Sequence, residues 1–175
     1  AALYHRYSAQ TGDCQLMIVD FGGGTLDVSI VECFENIIEI TAIAGDNRLG
    51  GDDIDRAIVS CFCQENELVE EQLEPGLRAS LYRQAETAKI ALSSAPAASI
   101  FLQQGERRYS LLLTNDLLRQ LCGPVFQRVR TVIPRAMKDR SRGGRLSDVI
   151  LVGGSAQLTV FGDFLEGLFG RRPHV

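Results

Sequence analysis

The stretch VDFGGGTLDVSI, residues 19–30, decides how this chain folds. Its Val, Phe, Leu and Ile residues favour strands, yet Gly22, Gly23 and Gly24 split them, and Asp20 and Asp27 stand on either side. If the halves form a hairpin across Gly23 and Gly24, a symmetric register pairs Gly22 with Thr25, Phe21 with Leu26 and Asp20 with Asp27. Opposed residues project to one face of a sheet, and like charges so placed are destabilising. A cation between them, or a proton on one, removes the conflict. Magnesium suits the place, since it takes oxygen ligands and keeps several waters. Glycines let backbone N–H groups approach a polyphosphate closely, and the Thr25 hydroxyl adds a donor. Two other readings stay open: a glycine-rich hairpin with two solvated aspartates, and a register shifted by one residue, which sends the carboxylates to opposite faces.

Working outward, residues 15–19, 25–32 and 37–43 have the composition of three strands. A loop over 44–51 leads to Asp52, Asp53 and Asp55, acids suited to a helix start, and the helix is expected to run from about 53 towards 73, ending before Pro75. Over 77–93, Leu81, Ala85, Ala88 and Leu92 form a helical stripe. Residues 99–103 and 109–113 suit a hairpin around Gly105, and Thr114 can cap a long helix through Val132 that Pro134 bends without ending. Past the polar segment 139–145, a buried strand at 149–152 turns through Gly153, Gly154 and Ser155 into a last amphipathic helix ending near Gly170. The pattern predicts an α/β fold. Residues 1–49 and 116–175 form the core subdomain, and 50–115 an inserted α+β subdomain.

Composition narrows the function. With 18 basic and 22 acidic residues and a net charge of −4, the chain lacks the basic footprint that nucleic-acid binding needs. No apolar run approaches the ~20 residues of a membrane span, and no signal segment opens the chain. From its start without methionine, a fragment is expected. The five scattered cysteines suit reduced, structural thiols in a reducing, cytoplasmic compartment, and Cys61 and Cys63, two apart, point to different helix faces and cannot easily share a metal. His5 and His174 are expected to be solvated terminal residues. The basic run Arg128, Arg130, Arg135, Lys138, Arg140, Arg142 and Arg145 suits a solvated helix face and loop, with a docking surface as the alternative.

On the helix over 77–93, Glu86, Lys89, Ile90 and Ser93 share a face turned away from the apolar stripe. Taken alone, Glu86 and Lys89 make an ordinary i,i+3 surface pair. Gly153 and Gly154 make either a tight strand-to-helix connection or a helix start that favours anions, with Ser155 as its N-cap.

Taken together, DFGGGTLDVSI (20–30), AGDNRLGGDDID (44–55), ETAKIALSS (86–94) and VILVGGS (149–155) resemble, in order and spacing, the 70-kilodalton heat-shock chaperones of the DnaK family. The likeness covers nearly the whole chain. It implies the second lobe of an actin-like, ribonuclease-H-like ATPase domain that binds ATP or ADP with Mg2+. By this resemblance Asp20 and Asp27 organise the metal shell and the attacking water, and Gly22, Gly23, Gly24 and Thr25 hold the phosphates. Glu86, Lys89 and Ser93 contact the ribose and adenine, Ile90 forms an apolar wall, and Gly153, Gly154 and Ser155 lie along the nucleoside. Gln157 stands where the family usually has an arginine over the adenine, and Thr159 where it has a proline, which weakens stacking on the base. The resemblance also implies a first lobe and a peptide-binding domain, neither of whose motifs occurs here, and a nucleotide-exchange factor on the inserted subdomain. A non-hydrolysing scaffold or regulator, or a more distant actin or sugar-kinase relative, are the alternatives. The piece alone is expected to have negligible ATPase activity.

Overall fold

The computed structural model describes residues 14–34, 37–138 and 146–175. Three strands, β1 (Cys14–Phe21), β2 (Leu26–Phe34) and β3 (Ile37–Asp46), form an antiparallel meander, and β6 (Asp148–Val152) adds in parallel to β1, giving the order β3-β2-β1-β6. A second sheet is the hairpin of β4 (Ala97–Gln104) and β5 (Arg107–Thr114). The expected register of the first hairpin holds: Phe21 opposes Leu26 and Asp20 opposes Asp27, while the Gly22 N–H donates to the Thr25 carbonyl at 3.0 Å. The reading with carboxylates on opposite faces is thereby excluded.

Alternation along β1 and β2 sorts the sheet faces. Met17, Val19, Phe21, Leu26, Val28 and Ile30 enter the main core, which continues through the helices and into Ile100 and Leu113 of the small sheet. The other face carries a minor cluster of Leu16, Val31 and Ile150, flanked by Cys14, Ile18 and Cys33. A bulge at Ile30 and Val31 shifts β3 against β2. The edge of β6 is closed by the chain end: His174 bonds through its backbone to Val149 and Leu151, and its Nε2 lies 3.0 Å from Asp148 Oδ2. His174 is therefore a sheet-edge residue and not the solvated terminal one expected, whereas His5 lies outside the described residues.

The helices depart from expectation at their ends. Helix α1 (Gly51–Glu65) stops well short of 73. Glu67 takes a left-handed φ of 53°, and Leu68 and Glu67 donate backward to Cys63 and Gln64 in a Schellman arrangement that Asn66 reinforces by bonding Phe62 O at 2.8 Å. A short 3-10 turn, Glu70–Gln72, follows. Pro75, expected only as a stop, is the first residue of α2 (Pro75–Ala91), where its missing N–H costs nothing. The stripe Leu81, Ala85, Ala88 and Leu92 is buried as predicted.

Thr114 caps as expected, its Oγ1 accepting from Leu117 N at 3.2 Å. The helix behind it is two, α3 (Asn115–Leu121) and α4 (Gly123–Lys138), separated at Cys122 just ahead of Pro124, while Pro134 sits inside α4 without ending it. Replacing Thr114 by alanine is expected to lower stability by about 1 kcal/mol, read as a lower urea midpoint at unchanged slope. Arg128, Arg130, Arg135 and Lys138 of α4 are exposed, as expected of a solvated face, and three of them also make contacts within the fold. Arg128 bonds Asp46 Oδ2 at 2.7 Å and Arg48 O at 2.9 Å, Arg135 bonds Gly45 O at 3.1 Å, and Arg130 lies 5.3 Å over the Phe164 ring. Arg140, Arg142 and Arg145 lie outside the described residues.

Candidate functional site

The glycine turn is held from behind by the loop that enters α1. Gly51 N donates to Gly22 O at 3.0 Å and Asp52 N to Gly23 O at 2.7 Å. The first amides of α1 are thus spent on the turn's carbonyls, and Asp53 Oδ2 accepts from Gly50 N at 2.8 Å. The approach is so close that a Cβ on Gly50 would stand 2.2 Å from Gly23 O. On the other flank Gly153 has φ +98°, and a Cβ there would meet Phe21 O at 2.4 Å and Asp20 Oδ1 at 2.8 Å. Two glycines therefore clamp the hairpin end between the α1 loop and the turn after β6.

A pocket of ≈ 390 Å³ opens where these segments meet α2. It brings together Gly23, Glu86, Lys89, Ile90, Ser93, Gly154, Ser155 and Gln157, all predicted from sequence, with Asp52 and Leu158 added. Glu86, Ser93 and Gln157 are exposed, and Ile90 is 60% exposed, an apolar side chain turned to the opening. Asp20, Gly22, Gly24, Thr25, Asp27 and Gly153 lie outside its lining. Asp20 and Asp27 are exposed beside it, and Asp52 hangs over the turn, its Oδ1 3.5 Å from where a Cβ of Gly23 would be. Among the described residues no group of three or more His, Cys, Asp or Glu side chains is gathered as a metal cage. The opposed pair is what the turn offers, and one or two carboxylates with waters is the manner in which magnesium is usually bound.

Two expectations need correction. Lys89 is not half of a surface pair with Glu86. It is 6% exposed, and its Nζ donates to Asp55 Oδ2 at 2.7 Å and to Gly51 O at 3.1 Å, tying α2 to the start of α1. Burial pushes the Asp55 carboxyl up from its ordinary value, against the lowering pull of the Lys89 bond. Ser155 is not a helix N-cap. It opens a 3-10 turn, Ser155–Gln157, and helix α5 (Thr159–Phe169) begins only after it, with no side-chain cap. What begins after Gly154 is thus a single 3-10 turn, and the α-helix N-terminus lies further on at Thr159.

Asp55 and Asp52 escaped the sequence reading. The signal for Asp55 was present: buried α1 positions 51, 54, 55, 58, 59, 62 and 63 make one stripe, and a carboxylate on it demands a partner. Asp55 also faces a second cavity of ≈ 430 Å³ with Asp52, Arg56, Tyr82, Arg83 and Glu86, so the Lys89–Asp55 pair stands between the two.

The Hsp70 protein family model matches residues 1–175. The chain is 34% identical over 178 residues to the chaperone protein DnaK of Trichormus variabilis, covering 95% of this chain and 26% of that protein. It is 33% identical over 169 residues to the chaperone protein dnaK of Thalassiosira pseudonana, covering 91% and 28%. With heat shock 70 kDa protein 7, chloroplastic, of Arabidopsis thaliana it shares 31% over 170 residues, covering 91% and 24%. The chain thus spans about a quarter of the length of these relatives. The mixed α/β architecture agrees with the actin-like fold of that family's nucleotide-binding domain. A family match along the whole sequence, with four motifs converging on one pocket and its flanking turn, places this chain in the Hsp70 family.

Proposed function

We propose that this chain is the ATP-binding second lobe of a DnaK-like chaperone whose full form hydrolyses ATP to control peptide binding. One observation carries the reading: a single pocket brings Gly23 of the glycine turn together with the exposed face of α2 and the turn after β6. Glu86 and Ser93 offer polar contacts to ribose and base, Ile90 and Leu158 supply apolar walls, and Gly23 gives the phosphates a close approach, with Gly22 and Gly24 beside the pocket. Lys89 acts from beneath, holding Gly51 and so the turn, with its ammonium already committed to Asp55. Asp20 and Asp27 would hold Mg2+ through water, and the bound ion would neutralise phosphate charge. Residues 1–49 and 116–175 would form the core subdomain and 50–115 the inserted one. The inserted unit offers a face for a nucleotide-exchange factor, and a first lobe and a peptide-binding domain complete the machine.

Phosphoryl transfer needs charge neutralised and water placed from several sides. This piece by itself is therefore expected to bind nucleotide weakly and release phosphate negligibly. Titration calorimetry with ADP and Mg2+ should show one site on the 175-residue chain, weakened about tenfold or more by Glu86→Ala, a loss of about 1.4 kcal/mol. Equal heats for both proteins would remove the pocket from consideration. Gln157 favours a second reading, a non-hydrolysing scaffold, because it lines the pocket without the planar cation that stacks on a base. In the full-length protein, turnover abolished by Asp20→Asn supports the enzyme, and tight binding without turnover supports the scaffold.

A further inference from the structure

Cys14 and Cys33 face each other at the open end of the hairpin whose other end is the glycine turn. Their register runs unbroken from Phe21 and Leu26, and both side chains lie on the minor-cluster face, half-buried. The Gly22 N–H bond to Thr25 O makes that pair a hydrogen-bonded one. Pair classes alternate along an antiparallel ladder, and Cys14 lies an even number of rungs from Gly22, so Cys14 and Cys33 belong to the same class. Such pairs hold their Cα atoms about 5.5 Å apart, inside the roughly 4.4–6.8 Å window of a disulfide. The structure holds the pair as thiols. No other two cysteines oppose each other across a ladder: Cys61 and Cys63 lie two apart on α1, and Cys122 is buried before α4. Burial pushes the Cys61 and Cys63 thiols up and Cys122 to about 12, which lowers their thiolate fraction.

We propose that Cys14 and Cys33 form a thiol–disulfide exchange site that takes a low-molecular-weight disulfide as oxidant and closes a reversible clasp across β1 and β2. One cysteine's thiolate attacks a sulfur of the small disulfide and expels its partner as a thiolate, leaving a mixed disulfide on the protein. The other thiolate then attacks the protein sulfur and expels the second small thiolate. Two protein thiols are oxidised, one small disulfide becomes two thiols, and the two protons go to solvent or to the leaving thiolates. The clasp closes a loop that contains the glycine turn, so it should restrict the unfolded chain and raise the denaturation midpoint.

The test is to incubate the 175-residue chain with oxidised glutathione, alkylate with iodoacetamide and map the peptides by mass. No Lys or Arg lies between positions 14 and 33, so trypsin leaves both cysteines in one peptide. The expected result is that this peptide loses about 2 Da and refuses both alkylations, while dithiothreitol restores its mass and both sites. Cys33→Ser should instead trap a glutathione adduct on Cys14, since the resolving thiol is gone. The proposal is overturned if the wild-type peptide is fully alkylated, if it stops at the glutathione adduct, or if the protected thiols are those of Cys61, Cys63 or Cys122. It is equally overturned if Cys33→Ser, shown to be folded by its urea midpoint, carries no adduct.

Discussion

Lys89→Ala is expected to cost about 3–5 kcal/mol of folding free energy, the range for removing one member of a buried ion pair. Both partners lie inside, Lys89 6% and Asp55 7% exposed, and Asp55 Oδ1 has no bond in the fold. The second oxygen loses its only charged donor when the lysine goes. The loss should depend on pH with a definite sign. Burial raises the folded carboxyl above its ordinary 3.8, so its contribution to stability is full below 3.8 and declines as pH rises through the folded value. Lys89 opposes that rise through its hydrogen bond and charge, so its removal lifts the carboxyl further. The gap between wild type and variant should therefore be smallest near 3.8 and widen towards neutrality. Urea unfolding across that range measures it. A gap that narrows with rising pH, or one below about 1 kcal/mol at pH 7, contradicts the assignment. Pairing Lys89→Met with Asp55→Leu should recover most of the loss, because apolar side chains of similar size replace a buried pair at little cost.

Gly50→Ala should be the second large effect, and here the cause is contact alone. Gly50 has φ −167°, extended backbone that alanine adopts freely. Its new methyl would nevertheless stand 2.2 Å from Gly23 O and 2.6 Å from Gly24 N, atoms of backbone that cannot swing aside. Relief requires the α1 loop to lift from the glycine turn, stretching the bonds from Gly51 to Gly22 and from Asp52 to Gly23. The expected cost is about 2–3 kcal/mol, as for an overpacked core. ADP affinity should fall as well, because the turn loses its backing. Gly76→Ala is the matched control: it meets nothing within 4 Å in α2 and should stabilise by roughly 0.5–1 kcal/mol. Calorimetry and urea melts on the two variants separate a local clash from a general intolerance of glycine replacement.

Much of the architecture was legible because it depends on local pattern. Strand composition pointed to the three-strand meander, and the glycine pair to a two-residue turn, whose symmetric register, one of two left open, opposes Asp20 and Asp27 as observed. The stripe of α2 and the cap at Thr114 were equally readable. Helix ends were not, since α1 ends on a left-handed Glu67 where no glycine or proline announces a stop. Pro75 and Pro124 mark a helix start and a helix break, and only neighbouring backbone bonds decide which.

By itself, then, the sequence pointed to the hairpin and the faces of the helices, because periodicity and turn chemistry act within a few residues. The choice between two registers waited for the structure. Tertiary structure alone decided what those faces meet. Lys89 could be placed beside Glu86 by spacing, but its choice of Asp55 and Gly51 depends on how α1 packs against α2. The partners of Arg128 and His174 were likewise set by segments distant in the chain. Burial is the physical reason: once water is excluded, a charged or polar group must find a partner wherever the packed chain brings one, and sequence distance ceases to matter.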